Sequence, residues 1–218
     1  MTTNEKIALL RGEMYKNNLK GYIVPTGDPH ISEYVADFYR FRHWISGFTG
    51  SAGTFALTDK KSGLWTDGRY YIQAEIELSG SECELYKAYE PGVISYVQFF
   101  CNELSEGDRV GVDAKLMSNS AVKNIQREFN KKGIELVVDC DLSYIWEDRP
   151  SLPYTKLLYW MKSTQAKAPK ARRQGFVKNS QRQGQQPLLQ IHLIILCGFI
   201  TCVQTTYIAV PLRFPMLW

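Results

Sequence analysis

Ile7, Leu10, Met14 and Tyr15 recur at three- and four-residue spacing near the start of the chain, the period of a helix with one apolar face. Asn4 or Thr3 is placed to cap that helix, and Gly21 to end it before the apolar run Tyr22-Ile23-Val24, which reads as a strand. Residues 54–58 and Leu64-Trp65 read as two more strands, joined by the polar turn Asp59-Lys60-Lys61-Ser62-Gly63, and a helix follows over 71–78. The pattern then predicts a strand over 85–88, an amphipathic helix over 93–104, a strand over 109–112, a helix over 118–130 and a strand over 134–138. Strands alternating with helices predict an α/β layer fold, and the hairpin within them predicts a mixed β-sheet flanked by helices.

Composition changes this picture at one place. The 218 residues are 44% hydrophobic with a formal net charge of +4, ordinary for a soluble globular chain. All 22 acidic residues lie at or before Asp148, against 17 basic ones up to Pro150, so that part carries −5; the remainder carries nine basic residues and no acidic one. Folded sequence of that length mixes both signs, so a join near Lys156 is expected, with a domain over 1–156 and a basic then apolar, irregular tail over 157–218. Cys83, Cys101, Cys140, Cys197 and Cys202 are odd in number and widely spaced, which suits neither a disulfide framework nor a zinc knuckle. With no apolar signal core in Met1-Thr2-Thr3-Asn4-Glu5-Lys6, a reducing, cytoplasmic location is expected.

Two compact motifs invite a chemical reading. In Trp44-Ile45-Ser46-Gly47-Phe48-Thr49-Gly50-Ser51-Ala52-Gly53-Thr54 three glycines fall at three-residue spacing among hydroxyl residues, an arrangement that invites a phosphate-loop reading. A dinucleotide fingerprint or a P-loop needs other spacings and a following helix. Here a strand-like run follows, so Gly47, Gly50 and Gly53 read as a structural turn that uses positive φ or close packing. In Trp65-Thr66-Asp67-Gly68-Arg69-Tyr70-Tyr71, Asp67-Gly68 makes a second structural turn, and the Asp67 carboxylate is placed to cap the helix that begins near Tyr70. Arg69 offers a carboxylate-binding fork, with a structural ion pair the favoured reading.

Together, Gly47 to Thr54 followed about ten residues later by Trp65 to Tyr70 resemble the creatinase-like N-terminal domain of the Xaa-Pro aminopeptidases (aminopeptidase P). Asp28-Pro29-His30 with Ser32-Glu33-Tyr34, then Arg109-Val110-Gly111-Val112-Asp113, then Leu142, Ile145-Trp146 and Asp148-Arg149-Pro150 stand in the order expected of that domain. The resemblance covers about residues 7–156. It implies an α/β module without catalytic residues, which shapes access to an active site and helps subunits associate. The reaction it implies is removal of an N-terminal residue preceding proline, by two manganese or zinc ions held in a separate C-terminal domain by two aspartates, one histidine and two glutamates. Paired metals activate a water and polarise the scissile carbonyl.

This chain has only His30, His43 and His192, and no acidic residue after Asp148, so no such ligand set is expected within it. Asp28 with His30, and His43 beside Arg40 and Arg42, are the local groupings with metal or acid–base character, and packed or solvated roles are favoured for them. No catalytic residue and no bound metal are assigned. His30, Tyr34, Arg40, Arg42, His43 and Arg69 are the candidates for a surface facing a catalytic domain or a partner subunit, governing substrate access. The expected partner is a full-length aminopeptidase subunit, with proline-containing peptides as substrates of the parent enzyme only.

After Lys156 the family continues roughly Tyr-x-Gly-Lys-Ser-x-x-x-Lys, then a helix and Leu-Asp-x-Ile-x-Trp-Leu-x-Asn-x-Arg, none of which stands in the tail's own letters. Reading each third base with the next two bases restores much of it. Ser163 through Arg172 permit Tyr-Ser-Gly-Lys-Ser-Thr-Lys-Ser-Lys, and Cys197 before Gly198 permits only Trp or Arg. The tail is therefore expected to be an out-of-frame translation from a frameshift, splice variant or gene-model error, on a truncated aminopeptidase. Taken at face value, the basic run 162–182 and the apolar run 188–210 give a short protein that binds a partner or is tail-anchored, but Gln190, His192, Gln204, Thr205 and Thr206 make a poor span. Basic residues without aromatic interleaving are weak grounds for nucleic-acid binding, and none is expected.

Overall fold

Six strands form one mixed sheet in the order β4-β3-β2-β1-β5-β6, in a computed structural model that describes residues 1–152. The chain runs through α1 (Thr3–Lys16), β1 (Gly21–Pro25), α2 (Phe41–Ser46), β2 (Thr54–Thr58), β3 (Ser62–Thr66), α3 (Tyr71–Glu77), β4 (Cys83–Lys87), α4 (Tyr96–Glu103), β5 (Arg109–Val112), α5 (Asn119–Asn130) and β6 (Glu135–Val137). β1, β2 and β3 are antiparallel neighbours, whereas β3–β4, β1–β5 and β5–β6 are parallel. The parallel pairs β3–β4 and β5–β6 are joined through α3 and α5, as parallel neighbours require.

Both faces of the sheet are covered, so its central strands are buried along their whole length. Tyr22 and Val24 of β1 with Phe55 and Leu57 of β2 pack against Ile7, Leu10 and Met14 of α1, Phe41 and Ile45 of α2 and Ala74 of α3. On the other face Ile23, Ala56, Val110 and Val112 meet Phe99 and Phe100 of α4 and Ile125 and Phe129 of α5. Alternation along each strand assigns one set of side chains to each layer, so a one-residue slip would exchange the two cores.

The predicted elements stand, with edges moved by local chemistry. α1 is capped by Thr2 and not by Asn4 or Thr3: the Thr2 hydroxyl accepts from the Glu5 amide and the Glu5 carboxylate from the Thr2 amide. Asn4 instead accepts the Glu82 amide at 2.9 Å, tying α1 to the lead-in of β4. Gly21 does not end the helix; Asn17 and the left-handed Asn18 (φ 54°) do. Gly21 lies within β1, where an added Cβ would stand 2.6 Å from the Phe100 ring. β3 begins two residues before Leu64, and the helix expected from 93 starts at Tyr96 because Ser95 and Gln98 form a capping box.

Two anchors hold the end of this unit. The Tyr22 hydroxyl donates to the Cys140 carbonyl at 2.8 Å and accepts the Leu142 amide at 3.1 Å. Trp146 stacks on Trp44 of α2 with ring centroids 5.8 Å apart, and Trp44 stacks in turn on Phe41. Met1–Leu152 form one compact unit. The boundary expected at 156 and the tail expected over 157–218 lie outside the described residues.

Candidate functional site

Between β1 and β2 the chain leaves the sheet for 28 residues, from Thr26 to Gly53, and this excursion carries most of the candidate residues. Asp28 opens it. Its carboxylate, 2% exposed, accepts the backbone amides of His30 at 2.8 Å and Ser32 at 3.0 Å. That turn places His30 at the surface and occupies Asp28 with backbone donors, so the two side chains form no acid–base or metal pair. A 3₁₀ turn at Asp37–Tyr39 then leads into α2, a helix that the apolar pattern did not predict.

α2 exists to carry Arg42 inward. The guanidinium is 4% exposed and donates from Nε to the Thr26 hydroxyl at 2.9 Å, from Nη1 to the Phe48 carbonyl at 2.8 Å and from Nη2 to the Gly50 carbonyl. Gly47 ends α2 in the left-handed conformation (φ 73°), and a Cβ on Gly50 would collide with the buried Phe48 ring. The Gly53 carbonyl accepts from the Thr26 hydroxyl at 2.7 Å. The glycine loop thus turns its carbonyls towards a cation, the reverse of an anion-binding loop. Its Thr49 amide is already taken by the Glu77 carboxylate of α3 at 2.8 Å, and the Thr49 hydroxyl and Gln73 amide donate to the same carboxylate.

Tyr34, Arg40, Arg42 and His43 come together around a cavity of about 140 Å³, with Glu33 and Ser51 completing its wall. Arg40 is held at the rim by Asp37 at 2.9 Å and by the Val35 carbonyl at 3.2 Å. Burial draws the Arg42 guanidinium down to about 10, so it is charged at neutral pH. Burial, then the charges of Arg42 and Arg40, lowers the His43 imidazole from its ordinary value, favouring the neutral ring.

His30 and Arg69 are not among the cavity's lining residues. Arg69 is fixed by Asp67, which accepts its Nε and Nη2 at 2.8 Å each and its amide at 3.1 Å, bearing out the ion-pair reading. Asp67 is therefore not the cap of α3. Tyr70 holds that position without a side-chain cap bond, because the guanidinium two residues on outcompetes the helix amides for the carboxylate. Sequence reasoning left out three contributors. Tyr39 lines the cavity, and Glu77 and Arg149 act on its scaffold. Arg149 lies 3.6 Å from the Phe38 ring centroid and donates to the Phe38 carbonyl at 2.8 Å. For Arg149 the available signal was its place in the family-like run Asp148-Arg149-Pro150.

Among the described residues no three His, Cys, Asp or Glu side chains converge as a metal site, so these residues do not fit a metal pair. Burial pushes the Cys83 thiol up to about 12 and also raises Cys101 and Cys140, so none is an activated thiolate.

The sequence profile of the creatinase/prolidase N-terminal domain matches residues 6–147. The chain belongs to that family. The chain is 37% identical over 171 residues to a probable Xaa-Pro aminopeptidase P of Pyricularia oryzae, covering 77% of this chain and 28% of that protein. It is 42% identical over 139 residues to aminopeptidase P2 of Arabidopsis thaliana, covering 62% and 19% respectively. A crystal structure of an X-prolyl aminopeptidase from Caenorhabditis elegans, described as a cytosolic enzyme with a di-nuclear active site, superposes with a TM-score of 0.74 at 27% identity. That match covers 84% of this chain and 32% of the other. The chain thus spans between about a fifth and a third of these relatives. No helix among the described residues is long and apolar enough to cross a membrane.

Proposed function

We propose that residues 1–152 work as the non-catalytic N-terminal domain of an Xaa-Pro aminopeptidase, presenting the cavity face to a catalytic domain or to a partner subunit. The observation that carries this reading is the gathering of Tyr34, Arg40, Arg42 and His43, four of the six candidate residues, at one cavity within a domain of this family. A manganese or zinc pair would be supplied by a catalytic domain, since the described residues bring together no ligand set. Proline-containing peptides would be substrates of that domain, and this one would border their path and help hold an aminopeptidase subunit. The cytosolic description of the Caenorhabditis elegans relative supports a cytosolic setting for this domain too. The test is an assay of the purified 218-residue chain with an Xaa-Pro peptide and manganese or zinc. No hydrolysis is expected, and metal-dependent release of the N-terminal residue would overturn the reading.

We further infer that residues after about 157–162 are read out of frame, so that the chain is a truncated form of a longer aminopeptidase. Support comes from the run of shifted residues compatible with the family, above all the Trp or Arg forced by Cys197 before Gly198. Sequencing the transcript from the Tyr154 codon decides it. A neighbouring frame continuing into aspartate, histidine and glutamate ligands is expected; its absence would make the tail a genuine addition, to be tested as a partner-binding segment or membrane anchor.

A further inference from the structure

The chain leaves the described unit through Asp148-Arg149-Pro150, and Arg149 reaches back from there to the excursion that walls the cavity. Its guanidinium lies 3.6 Å from the centroid of the Phe38 ring, and its Nε donates to the Phe38 carbonyl at 2.8 Å. Its Nη1 donates to the Ser143 hydroxyl, which donates in turn to the Asp141 carboxylate; the same carboxylate accepts the Ser143 amide at 2.8 Å. One prong of the fork is thus held at the end of the unit and the other at the 3₁₀ turn Asp37–Tyr39. Phe38 carries the contact inward: its ring meets that of Tyr39 edge to face at 4.9 Å, and Tyr39 lines the cavity. A second tie runs alongside, because Trp146, whose carbonyl accepts the Arg149 amide at 3.1 Å, stacks on Trp44, the neighbour of cavity-lining His43. The turn itself is three residues long and has no side-chain cap. Its Arg40–Asp37 pair sets its shape but not its place on the domain, and so short a turn does not hold itself.

We propose that Arg149 is a positioning residue: it fixes the Phe38–Tyr39 wall of the cavity to the segment by which the chain leaves the domain, so that a displacement of that segment moves the wall. The fork and the ring contact are what suit arginine to this task, since a planar guanidinium can bond two acceptors and lie against an aromatic ring at once, whereas an ammonium is a point charge on a flexible stem. The bearing of this coupling on substrate access rests on the aminopeptidase reading above. The coupling itself belongs to residues 1–152 and is measured without any peptide, so the two fail separately.

The experiment compares the full chain with Arg149→Lys, Arg149→Gln and Ser143→Ala, following the Tyr39 phenol by NMR of ¹³Cζ-labelled tyrosine, with Tyr39→Phe to assign the signal. In the unaltered chain burial, then the charge of Asp28, raises this phenol above its ordinary value of 10; Arg149 opposes them and Asp113 adds to them. Lysine keeps the positive charge and loses the fork, so Arg149→Lys should let water reach Tyr39 and bring its value down towards 10. Removing the charge alone would raise it, so a fall in Arg149→Gln as well is expected only if the wall moves. Ser143→Ala, which removes one prong, should give a smaller fall. The amides of Tyr39 and Arg40, which close the turn onto the Ala36 and Asp37 carbonyls, should exchange about tenfold faster in Arg149→Lys, the worth of one charge-assisted hydrogen bond. Those of Ile23 and Phe55 in the sheet should keep their rates. An unchanged phenol and unchanged exchange in Arg149→Lys, a rise in Arg149→Gln, or exchange that quickens equally in the sheet would overturn the proposal.

Discussion

Arg42 shows how one charged side chain organises a loop otherwise rich in glycine. Replacing it with Met removes the donor to the Phe48 and Gly50 carbonyls and the Thr26 hydroxyl while keeping apolar bulk. Each buried acceptor left unpaired costs roughly 1–3 kcal/mol, so a loss of about 3–5 kcal/mol is expected in urea unfolding. A loss below about 1 kcal/mol would mean that water enters and satisfies those carbonyls. His43, one residue on, gives a pH signature. Burial and the neighbouring guanidiniums hold its folded-state value below 6.5, so below that pH the unfolded chain binds the proton more readily. Stability should therefore fall as pH drops from 6.5 towards the folded-state value, and stay level above 6.5. His43→Gln should flatten that slope between about pH 5 and 6.5, a range above the titration of Glu77, whose hydrogen bonds outweigh its burial and hold it below 4.5. An unchanged slope would place the titrating group elsewhere. The turn role of Gly47 and Gly50 was legible in the sequence, because strand letters follow the glycines. The burial of Arg42 was not, since its partners lie 6, 8 and 16 residues away and meet only when the loop closes.

Elements were legible in proportion to the strength of their own pattern. α5 could be placed within a residue because Ile125 and Phe129 recur on one face and Ser118 caps it. α2 was invisible: six residues, Phe41-Arg42-His43-Trp44-Ile45-Ser46, are too few to show a period, and one buried position is charged. It is held by tertiary packing, with Phe41 and Ile45 in the core and Trp44 between Phe41 and Trp146. α4 shows the opposite case, a start set locally by a cap. Ser95→Ala removes one half of its capping box and should cost about 1 kcal/mol, read as a lower thermal midpoint, with amide exchange quickening at Tyr96, Val97 and Gln98. Equal exchange in both proteins would show that the packing of Phe99 and Phe100 alone fixes the start.

At the scale of the molecule, strand–helix alternation with one hairpin was enough to foresee a mixed sheet flanked by helices. The strand order was not readable, because nothing local tells β1 to sit between β2 and β5. The cavity depends on that order: antiparallel pairing of β1 with β2 brings Thr26 beside Gly53 and forces the 26 residues between them to return to the sheet, with Phe41 and Ile45 packed on the face of these strands. The central claim is that this unit is an aminopeptidase N-terminal domain that borders substrate access. The most direct measurement is kcat/KM for an Xaa-Pro peptide with a chimera in which residues 1–152 replace the corresponding domain of the Caenorhabditis elegans relative. The account predicts activity within about tenfold of the parent, roughly 1.4 kcal/mol of transition-state stabilisation, and far above that of the parent lacking the domain. A folded, metal-loaded chimera no more active than the parent lacking the domain would contradict it.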